Sequence, residues 1–407
     1  MTFPPDDLAA QVSLDDDIAP AAPHRTVDAP RVVLVTGGTG FLGAFVIRDL
    51  LRHTRAAVHC LVRAPDADAA RRRLADNFAH YQLAHPEFDA RVVAVPGDIE
   101  HPTLGLDEDA YAWLAQHADA VYHLAADVSF MLGYEQLEAT NVGGLKHVLR
   151  FACARRTKAV HYASTYAVFN ADAYALAERV YEHRLAGSSA GFRRGYDQSK
   201  WVAEHVVGLA QQRGIPVTTY RPGFVSGDTR TGIHNKMDPV AQMLAVILCT
   251  GLAFPLEVLL HLTPVDYCSR ALVSLSLLPE AEGQIFHLVQ GQPPTAEHLL
   301  DWMDAEGFGV RLVEFPDWFA RLKTLCRRYP QFVPAFYLCS RDEARAFGED
   351  ENISMLQFDA SHVERLLPPA ARCPPIDGPL LRRYFDYIAS PERGYQVLVR
   401  GRARGAA

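Results

Sequence analysis

A glycine-rich turn near the N-terminal end constrains the fold of this chain more than any other feature. The apolar run at residues 32–35 leads directly into TGGTGFLG at residues 36–43, and a helical pattern follows. After a buried strand, such glycines permit a tight turn, let backbone amides approach a pyrophosphate and let the next helix pack closely. A turn without a ligand is the alternative, but the flanking strand and helix favour dinucleotide binding. The residues of this turn predicted to contact the cofactor or to pack the helix are Gly37, Thr39, Gly40, Phe41, Leu42 and Gly43.

Apolar runs alternate with helical patterns over much of the chain. Runs without polar interruption are typical of parallel strands that are buried on both faces. We therefore predict an α/β fold, a doubly wound Rossmann-type parallel sheet with a smaller, mainly helical C-terminal substrate domain. The predicted strands cover residues 32–36, 57–62, 92–95, 120–124, 159–163, 217–220 and 285–289.

The same pattern divides the chain into three parts. Residues 1–29 are rich in Asp, Ala and Pro and offer few large apolar side chains, so we predict a linker or a disordered leader. The NADPH-binding Rossmann domain is predicted over residues 30–230 plus 261–291. Residues 231–260 plus 292–407, where the strand-to-helix rhythm is lost, are predicted to form the substrate-binding domain.

Composition and charge exclude several classes of protein. The 40 basic and 48 acidic side chains give a net charge of −8, which argues against binding to nucleic acid. The cysteines are scattered and never form CxxC, so we predict neither a disulfide framework nor a metal site. The first residues are acidic, unlike a signal peptide, and a cytoplasmic location is expected. The uncharged stretch 239–256 contains interrupting polar residues, so we predict a buried or pocket-lining helix and no membrane anchor.

The end of the second strand indicates which dinucleotide is bound. Folds that prefer NAD usually place an acidic residue there to hold the ribose 2′-hydroxyl, but this chain has Cys60-Leu61-Val62-Arg63. Arg63, with Arg73 on the following helix, has the charge to neutralise a 2′-phosphate. The alternative is that Arg71–Arg73 form only a solvated helix face, which we expect for one or two of them. NADPH is therefore the predicted cofactor.

Further cofactor contacts are predicted at the ends of later strands. Asp98 and Ile99 follow the third strand, where they would hold the adenine, although an aspartate in an ordinary turn is an equally good interpretation. Ala125 and Ala126 close the fourth strand and are small enough to let a cofactor lie against the backbone, whereas His123 is expected to be a packing residue. The remaining predicted cofactor contacts are Asn141, Lys200 and Pro222.

Tyr196 and Lys200 are the predicted centre of the chemistry. They are four residues apart, so on a helix both point from one face. We expect the ammonium to lower the pKa of the phenol, which would then exchange a proton with a carbonyl oxygen near neutral pH. An ordinary helix also produces this spacing, but Ser164-Thr165 at the end of the fifth strand would supply a hydroxyl to the same oxygen.

The combined motifs resemble those of an extended short-chain dehydrogenase/reductase. The matching segments are TGGTGFLG, YASTYAVF, YDQSKWVAE, RPGFVSGDTRTG and TPVDYCSRA. Within that superfamily the chain most resembles the thioester reductase domains that end nonribosomal peptide synthetases, polyketide synthases, carboxylic acid reductases and aminoadipate reductases. The resemblance is dispersed over most of the chain, and GIHN at 232–235 and CPPIDGPLLRRYFDY are among its more specific stretches.

The resemblance implies a catalytic triad of Thr165, Tyr196 and Lys200, in which Thr165 and not Ser164 is the hydroxyl residue and Lys200 also holds the nicotinamide ribose. It further implies NADPH-dependent reductive release of a thioester as an aldehyde, with a second reduction to an alcohol left open. The implied partner is an acyl or peptidyl carrier protein bearing phosphopantetheine, and residues 13–20 look like the linker that follows such a carrier. Two residues depart from the family pattern: Leu145 replaces a small hydroxyl residue and Gln242 replaces an arginine.

Two other functions remain open at this point. A fatty acyl-CoA reductase or a sugar-nucleotide epimerase/dehydratase would share the triad, but the long C-terminal segment and the linker-like leader favour thioester reduction. A dinucleotide-sensing module without catalytic activity is the alternative outside enzymes, and the intact Thr165, Tyr196 and Lys200 argue against it.

Overall fold

A parallel seven-stranded sheet forms the centre of the computed structural model, which describes residues 5–340 and 356–390 apart from 170–178 and positions 21, 130, 188, 193, 236 and 257. Residues 341–355 and 391–407 of the predicted substrate domain thus lie outside the described residues. The strands are β1 (Val32–Thr36), β2 (Ala57–Val62), β3 (Val92–Pro96), β4 (Ala120–His123), β5 (Ala159–Ala163), β6 (Arg179–Val180), β7 (Val217–Pro222), β8 (Phe224–Ser226), β9 (Leu252–Ala253), β10 (Leu262–Pro264), β11 (Ile285–Leu288), β12 (Arg311–Leu312) and β13 (Gln357–Phe358).

The order of strands confirms the predicted doubly wound sheet. It is β3-β2-β1-β4-β5-β7-β11, and every pair of neighbours is parallel. Strands β4 and β7 are buried along their whole length, and β1 is buried except at Val32. Helices therefore cover both faces, which explains why β1 and β4 are mainly apolar and why the polar side chains of β7 are buried. The carboxyl ends of β1, β4 and β5 meet at one edge, where an open sheet of this kind binds its ligands.

The helices connect these strands and build the C-terminal part. They are α1 (Pro5–Ala10), α2 (Phe41–His53), α3 (Ala67–His80), α4 (Phe88–Arg91), α5 (Glu108–His117), α6 (Tyr134–Glu138), α7 (Gly144–Cys153), α8 (Gly195–Gln212), α9 (Pro239–Thr250), α10 (Val265–Ser276), α11 (Ala296–Ala305), α12 (Phe315–Arg328), α13 (Val333–Ser340), α14 (Ser361–Leu366) and α15 (Gly378–Ala389). A π-helical turn, Ala139–Gly143, joins α6 to α7, and a 3₁₀ turn, Tyr166–Phe169, follows β5.

A second apolar core lies outside the sheet. Buried side chains of α9 pack there with Trp318, Phe319 and residues of α15. The uncharged α9 is only 12 residues long and ends at Gly251, which adopts φ 66° and caps the helix. It is thus a core helix, as predicted, and none of the helices within the described ranges is long and apolar enough to cross a membrane.

The C-terminal part also returns to the sheet domain. Strand β13 pairs in parallel with β6, and Phe358 packs against Tyr166, which directly follows the predicted catalytic threonine. Leu356 and Val363 are buried in the core of the sheet rather than in the second core. The domain boundaries drawn from the sequence stay a prediction, and this segment contacts both parts.

The leader packs against the sheet domain. For residues 1–29 the sequence predicts a linker or a disordered leader, and the packed part of this segment differs from the second of these alternatives. Leu8, Leu14 and Ile18 are buried, although few large apolar side chains stand in this stretch. Arg150 on α7 donates to the carboxylates of Asp15 and Asp17, both at 2.6 Å. The sequence pattern missed this packing because widely spaced apolar residues give no periodic signal.

We expect Ile18→Ala to lower the free energy of unfolding by about 2–4 kcal/mol, because it removes a fully buried side chain from a close-packed contact. Ile18→Val is the matched control and should cost only about 0.5–1.5 kcal/mol. Urea unfolding of the wild type and both variants measures the difference. Equal stability of all three proteins would mean that the leader does not pack on the domain in solution.

Candidate active site

The glycine-rich turn joins β1 to α2 through two close backbone approaches. Gly37 adopts φ 75°, and a Cβ there would lie 2.6 Å from the amide nitrogen of Ala125. A Cβ on Gly43 would lie 2.1 Å from the carbonyl oxygen of Gly37, so only glycine lets α2 start this close to the strand. Gly40 precedes the first turn of α2, whose unpaired amides form an anion site at this end of the sheet.

The other residues of the turn face in different directions. Phe41 is buried, and its ring centroid lies 4.9 Å from that of Tyr81, so a cofactor contact would have to use its backbone amide. Leu42 is partly buried against the core, and Thr39 is half-exposed. The predicted contacts thus lie together on one turn, and their role toward a cofactor stays a prediction.

The ends of β1 and β4 are joined by a buried hydroxyl. The Thr36 hydroxyl lies 2.8 Å from Nδ1 of His123 and accepts from the Ala125 amide at 3.3 Å. Burial, with the nearby Lys200 charge, lowers the pKa of His123 to about 3. The imidazole of His123 is therefore neutral and acts as a packing residue rather than as an acid, as the sequence indicates. Ala125 and Ala126 follow it in the chain, and both are half-exposed beside the glycine turn.

The structure brings Arg63 and Arg73 together at the end of β2. The Arg73 guanidinium donates to the backbone carbonyl of Arg63. The Arg63 side chain is 69% exposed, with Nη1 3.9 Å from a carboxylate oxygen of Glu100. Arg71 instead pairs with Asp89 at 2.8 Å, which places it on the solvated helix face. Of Arg63, Arg71 and Arg73, Arg63 therefore has the longest contact between its guanidinium and a partner.

The two predicted adenine contacts follow β3. Oδ1 of Asp98 accepts from the amide of Glu100 at 3.0 Å, so this carboxylate stabilises a turn in addition to any ligand role. Ile99 is buried, and a Cβ on Gly144 would lie 2.8 Å from its Cδ1. Ile99 thereby packs against the start of α7.

Asn141 and Pro222 hold parts of the site in place. In the π-helical turn, the Asn141 amide accepts from the Asp127 backbone amide at 2.8 Å and donates to the Ser199 hydroxyl at 2.9 Å. It thus links the loop after β4 to the residue before Lys200. Pro222 is buried at the end of β7, paired with Leu288.

Thr165, Tyr196 and Lys200 meet at the carboxyl end of β5. Helix α8 begins at Gly195, where a Cβ would lie 2.4 Å from the carbonyl carbon of Gly133, and its first turns hold Tyr196 and Lys200. The Thr165 hydroxyl lies within reach of the Tyr196 phenol, and hydrogen bonding from it acts to lower the pKa of that phenol. Lys200 Nζ donates to the Ala163 carbonyl at 2.8 Å and is buried. The arrangement supports the choice of Thr165 over Ser164.

The electrostatics of this cluster differ from the expectation. We expect Lys200 to lower the pKa of the phenol, but burial and the neighbouring Asp197 carboxylate raise the pKa of Tyr196 above its usual range. The physical reason is that the ammonium bonds the Ala163 carbonyl, and burial lowers the pKa of Lys200 to about 7 while Glu204 opposes that fall. Tyr196 therefore keeps its proton at neutral pH, and the raised pKa makes it a weaker acid than an ordinary phenol.

Two buried ion pairs beside the site were not singled out from the sequence. Arg194 donates through Nε to the fully buried Asp197 at 2.8 Å, next to Tyr196. Arg221 on β7 donates to Glu204 on α8. The feature of the sequence that could have revealed these pairs is the presence of the charged residues Asp197 and Glu204 on the buried face of α8. Within the described ranges, no group of His, Cys, Asp and Glu side chains is arranged to hold a metal ion.

Comparison with known proteins places the chain in a family. The family model described as male sterility protein matches residues 35–272, from the glycine-rich turn to α10. The chain belongs to this family. The match includes the end of β1, the glycine-rich turn, the residues of the predicted triad and the Arg221-Pro222-Gly223 segment.

Relatives of this male sterility family protein include peptide-synthesising enzymes. A solved structure, the terminal R domain from the myxalamid PKS-NRPS biosynthetic pathway, is 34% identical with a TM-score of 0.85 and covers 94% of this chain and 97% of its own. A linear gramicidin synthase of Brevibacillus parabrevis is 33% identical over 94% of this chain and 8% of its own length. Isonitrile lipopeptide synthase of Streptomyces coeruleorubidus is 33% identical over 95% of this chain and 26% of its own.

This protein thus spans about a quarter or less of those two synthases. The comparisons confirm the resemblance to terminal reductase domains and the prediction of an oxidoreductase. They also agree with the predicted fold, because the R domain superposes over nearly the whole chain.

We expect Tyr196→Phe to keep the fold and the affinity for the cofactor, while reductase turnover falls by about 10²–10⁴, as is usual when a general acid is lost. The ring is retained, so packing in the buried cluster changes little. Lys200→Ala is the contrasting variant, since it should reduce both binding and turnover. Fluorescence titration with cofactor and initial rates measure these effects. Near-normal turnover of Tyr196→Phe would show that the phenol is not the proton donor.

Proposed function

We propose that this protein reduces a carrier-bound thioester to an aldehyde and a free thiol, with NADPH as the reductant. The observation that most favours this proposal is the pair of neighbouring hydroxyls, the buried Thr165 and the partly buried Tyr196, with Lys200 at the same carboxyl end of β5. Two hydroxyls at one point are suited to polarise one carbonyl oxygen. The 34% identity to a terminal R domain agrees with this chemistry.

The residues present fit a dinucleotide phosphate. Gly37 and Gly43 pack so closely on neighbouring backbone that neither has room for a Cβ, which keeps the turn tight, and the amides at the start of α2 are suited to bind a phosphate. Arg63 would hold the 2′-phosphate, with Arg73 bracing its backbone carbonyl. Lys200 would hold the nicotinamide ribose. NADPH, when bound, supplies a hydride to the carbonyl carbon of the substrate.

The side chains of the chain provide the remaining chemistry. Thr165 and Tyr196 would hold the thioester oxygen as negative charge develops on it, and the Tyr196 phenol would give its proton to that oxygen. The Tyr196 phenol is protonated at neutral pH, because its pKa lies above its usual range. The product of this step is a thiohemiacetal. Its collapse breaks the carbon–sulfur bond, returns the hydroxyl proton to Tyr196 and releases an aldehyde and a thiolate, which takes a proton from solvent to become the free thiol.

An acyl or peptidyl carrier protein is the proposed partner. The relatives that this chain matches are synthases of gramicidin and of an isonitrile lipopeptide, and the chain corresponds to a small part of each. A carrier presents its acyl group on a phosphopantetheine thiol, which raises the effective concentration at the site. The thiol is also a good leaving group, unlike the hydroxyl of a free acid.

We expect one acyl group to be reduced fastest as the carrier-bound thioester, more slowly as the coenzyme A thioester and not at all as the free acid. The reason is effective concentration for the first comparison and leaving-group chemistry for the last. Product mass and NADPH consumption measure the three rates, and Tyr196→Phe is the matched control for reduction at this site. Faster reduction of the coenzyme A thioester would favour a fatty acyl-CoA reductase, and inactivity on all three would overturn thioester reduction.

We expect Arg63→Ala to weaken NADPH binding by about 1.5–3 kcal/mol, the contribution of one charge-assisted contact, and to leave NADH binding nearly unchanged. Arg71→Ala is the control, because Arg71 is paired with Asp89 on the solvated face. Titration of each variant with both cofactors gives the affinities. Equal affinity of the wild type for NADPH and NADH would contradict the assigned role of Arg63.

A further inference from the structure

The amine of Lys200 lies over the face of an aromatic ring. Its Nζ is 4.5 Å from the ring centroid of Tyr162 on β5, well inside the distance of about 6 Å at which a cation is attracted to the electron-rich face of a ring. Lys200 is 2% exposed and Tyr162 is 1% exposed. Cation–π attraction is stronger when both groups are shielded from water, as they are here. None of the steps proposed for the reaction uses Tyr162.

The ring of Tyr162 is held in place from the neighbouring strand. Tyr162 is paired with His123 on β4, and the two rings stack with their centroids 5.8 Å apart and an angle of 22° between their planes. The buried hydroxyls of Tyr162 and Ser164 are near each other, but neither has a hydrogen-bond partner with good geometry among the described residues. The contact with the amine therefore depends on the ring and not on its hydroxyl.

The groups that contact the Lys200 amine from other positions carry no negative charge. Within the described part of the chain, Nζ forms no ion pair with a carboxylate, and it donates to the neutral backbone carbonyl of Ala163 at 2.8 Å. His123 on β4 is neutral, because burial lowers its pKa to about 3. Tyr196 on α8 keeps its proton, because its pKa lies above its usual range.

The two buried carboxylates on this part of α8 are bonded to arginines. Asp197 accepts from Nε of Arg194 at 2.8 Å. Glu204 accepts from Nε and Nη2 of Arg221 at 2.8 and 2.6 Å, one bond to each of its oxygens. The charge of Glu204 raises the pKa of Lys200 from a distance, against the larger effect of burial. The aromatic ring and one backbone carbonyl are thus the direct contacts that favour the ammonium.

We propose that Tyr162 is a positioning residue, whose ring face holds the Lys200 amine in its charged form at the carboxyl end of β5 before the cofactor binds. The inference rests on the proposed function for the use of that charge, which would attract a cofactor rich in phosphate. A ring face attracts the ammonium and not the neutral amine, so a less electron-rich ring favours loss of the proton. Burial already lowers the pKa of Lys200 to about 7, so a modest further change decides its charge near neutral pH.

The small number of lysines makes a direct test possible. The side-chain resonances of ¹³C-labelled lysine can be followed against pH in the intact protein, and Lys200→Arg identifies the signal of Lys200. The lysines of the chain are Lys146, Lys158, Lys200, Lys236 and Lys323.

Fluorine atoms weaken the face of a ring while its shape stays nearly the same. The series begins with Tyr162→Phe, and the phenylalanine at this position then carries one, two or three fluorine atoms, which withdraw electron density from the face. Tyr162→Phe should keep the titration midpoint of Lys200, since the ring remains. We expect the midpoint to fall with each fluorine, by about one pH unit in all, which is a tenfold change in the acid constant. The pH above which the affinity for NADPH declines should fall by the same amount.

Phe151 on α7 offers a matched control for the fluorine atoms. Its ring centroid lies 5.1 Å from Nζ of Lys158, so this is a second buried ring beside a different amine. The same fluorinated phenylalanines at position 151 should leave the Lys200 midpoint unchanged, with any effect confined to Lys158. Lys158→Arg identifies the signal of that second amine.

An unchanged Lys200 midpoint across the series at position 162 would overturn the inference. An equal fall caused by fluorine at position 151 would also overturn it, because the effect would then not come from the ring beside the amine. The same holds for a lower midpoint with an unchanged pH dependence of the affinity for NADPH, since the charge would have no role in binding. If midpoint and affinity shift together in a protein that reduces no thioester, the role of Tyr162 stands and the proposed function fails. The two failures are thus distinguishable.

Discussion

The hydrogen bond from Lys200 to the Ala163 carbonyl ties the helix of the triad to the end of the central strand β5. Burying an ammonium is costly, and the protein meets part of that cost with this carbonyl, the Tyr162 ring and the Glu204 carboxylate. Because β5 lies in the middle of the sheet, the bond transfers the rigidity of the core to the site. The same end of β5 places the hydroxyl of Thr165, two residues after Ala163, close to the phenol of Tyr196.

Much of the fold could be predicted because its physical causes are local in sequence. The strands of the sheet are mainly apolar, as is usual for parallel strands in the interior of a sheet, and the strand limits differ from the prediction by at most two residues. The glycine turn and the Tyr196–Lys200 spacing are also local patterns. What the sequence concealed are contacts between distant segments, such as the burial of Ile18 in the leader and of Phe358 against Tyr166.

The shift predicted for the pKa of Tyr196 was in the wrong direction for a related reason, because it also depends on a contact between distant segments. Four-residue spacing places Tyr196 and Lys200 on one helix face, but it does not show which oxygen the ammonium meets. The third group, Ala163, comes from a strand more than thirty residues away. The two residues that depart from the family pattern, Gln242 and Leu145, are also explained by tertiary contacts. Gln242 accepts from the amide of Ala335 at 3.0 Å and so joins α9 to α13, and Leu145 is fully buried in the core beside the sheet.

The return of the C-terminal segment to the sheet domain has a mechanical consequence. The part of the chain that packs around α9 is joined to the sheet domain by covalent connections near β10 and β11 and, separately, by the β13–β6 pairing and Phe358. A body attached at two separated places turns only about the line between them. The position of this part relative to the sheet domain is therefore constrained at several points of the chain that are far apart in sequence.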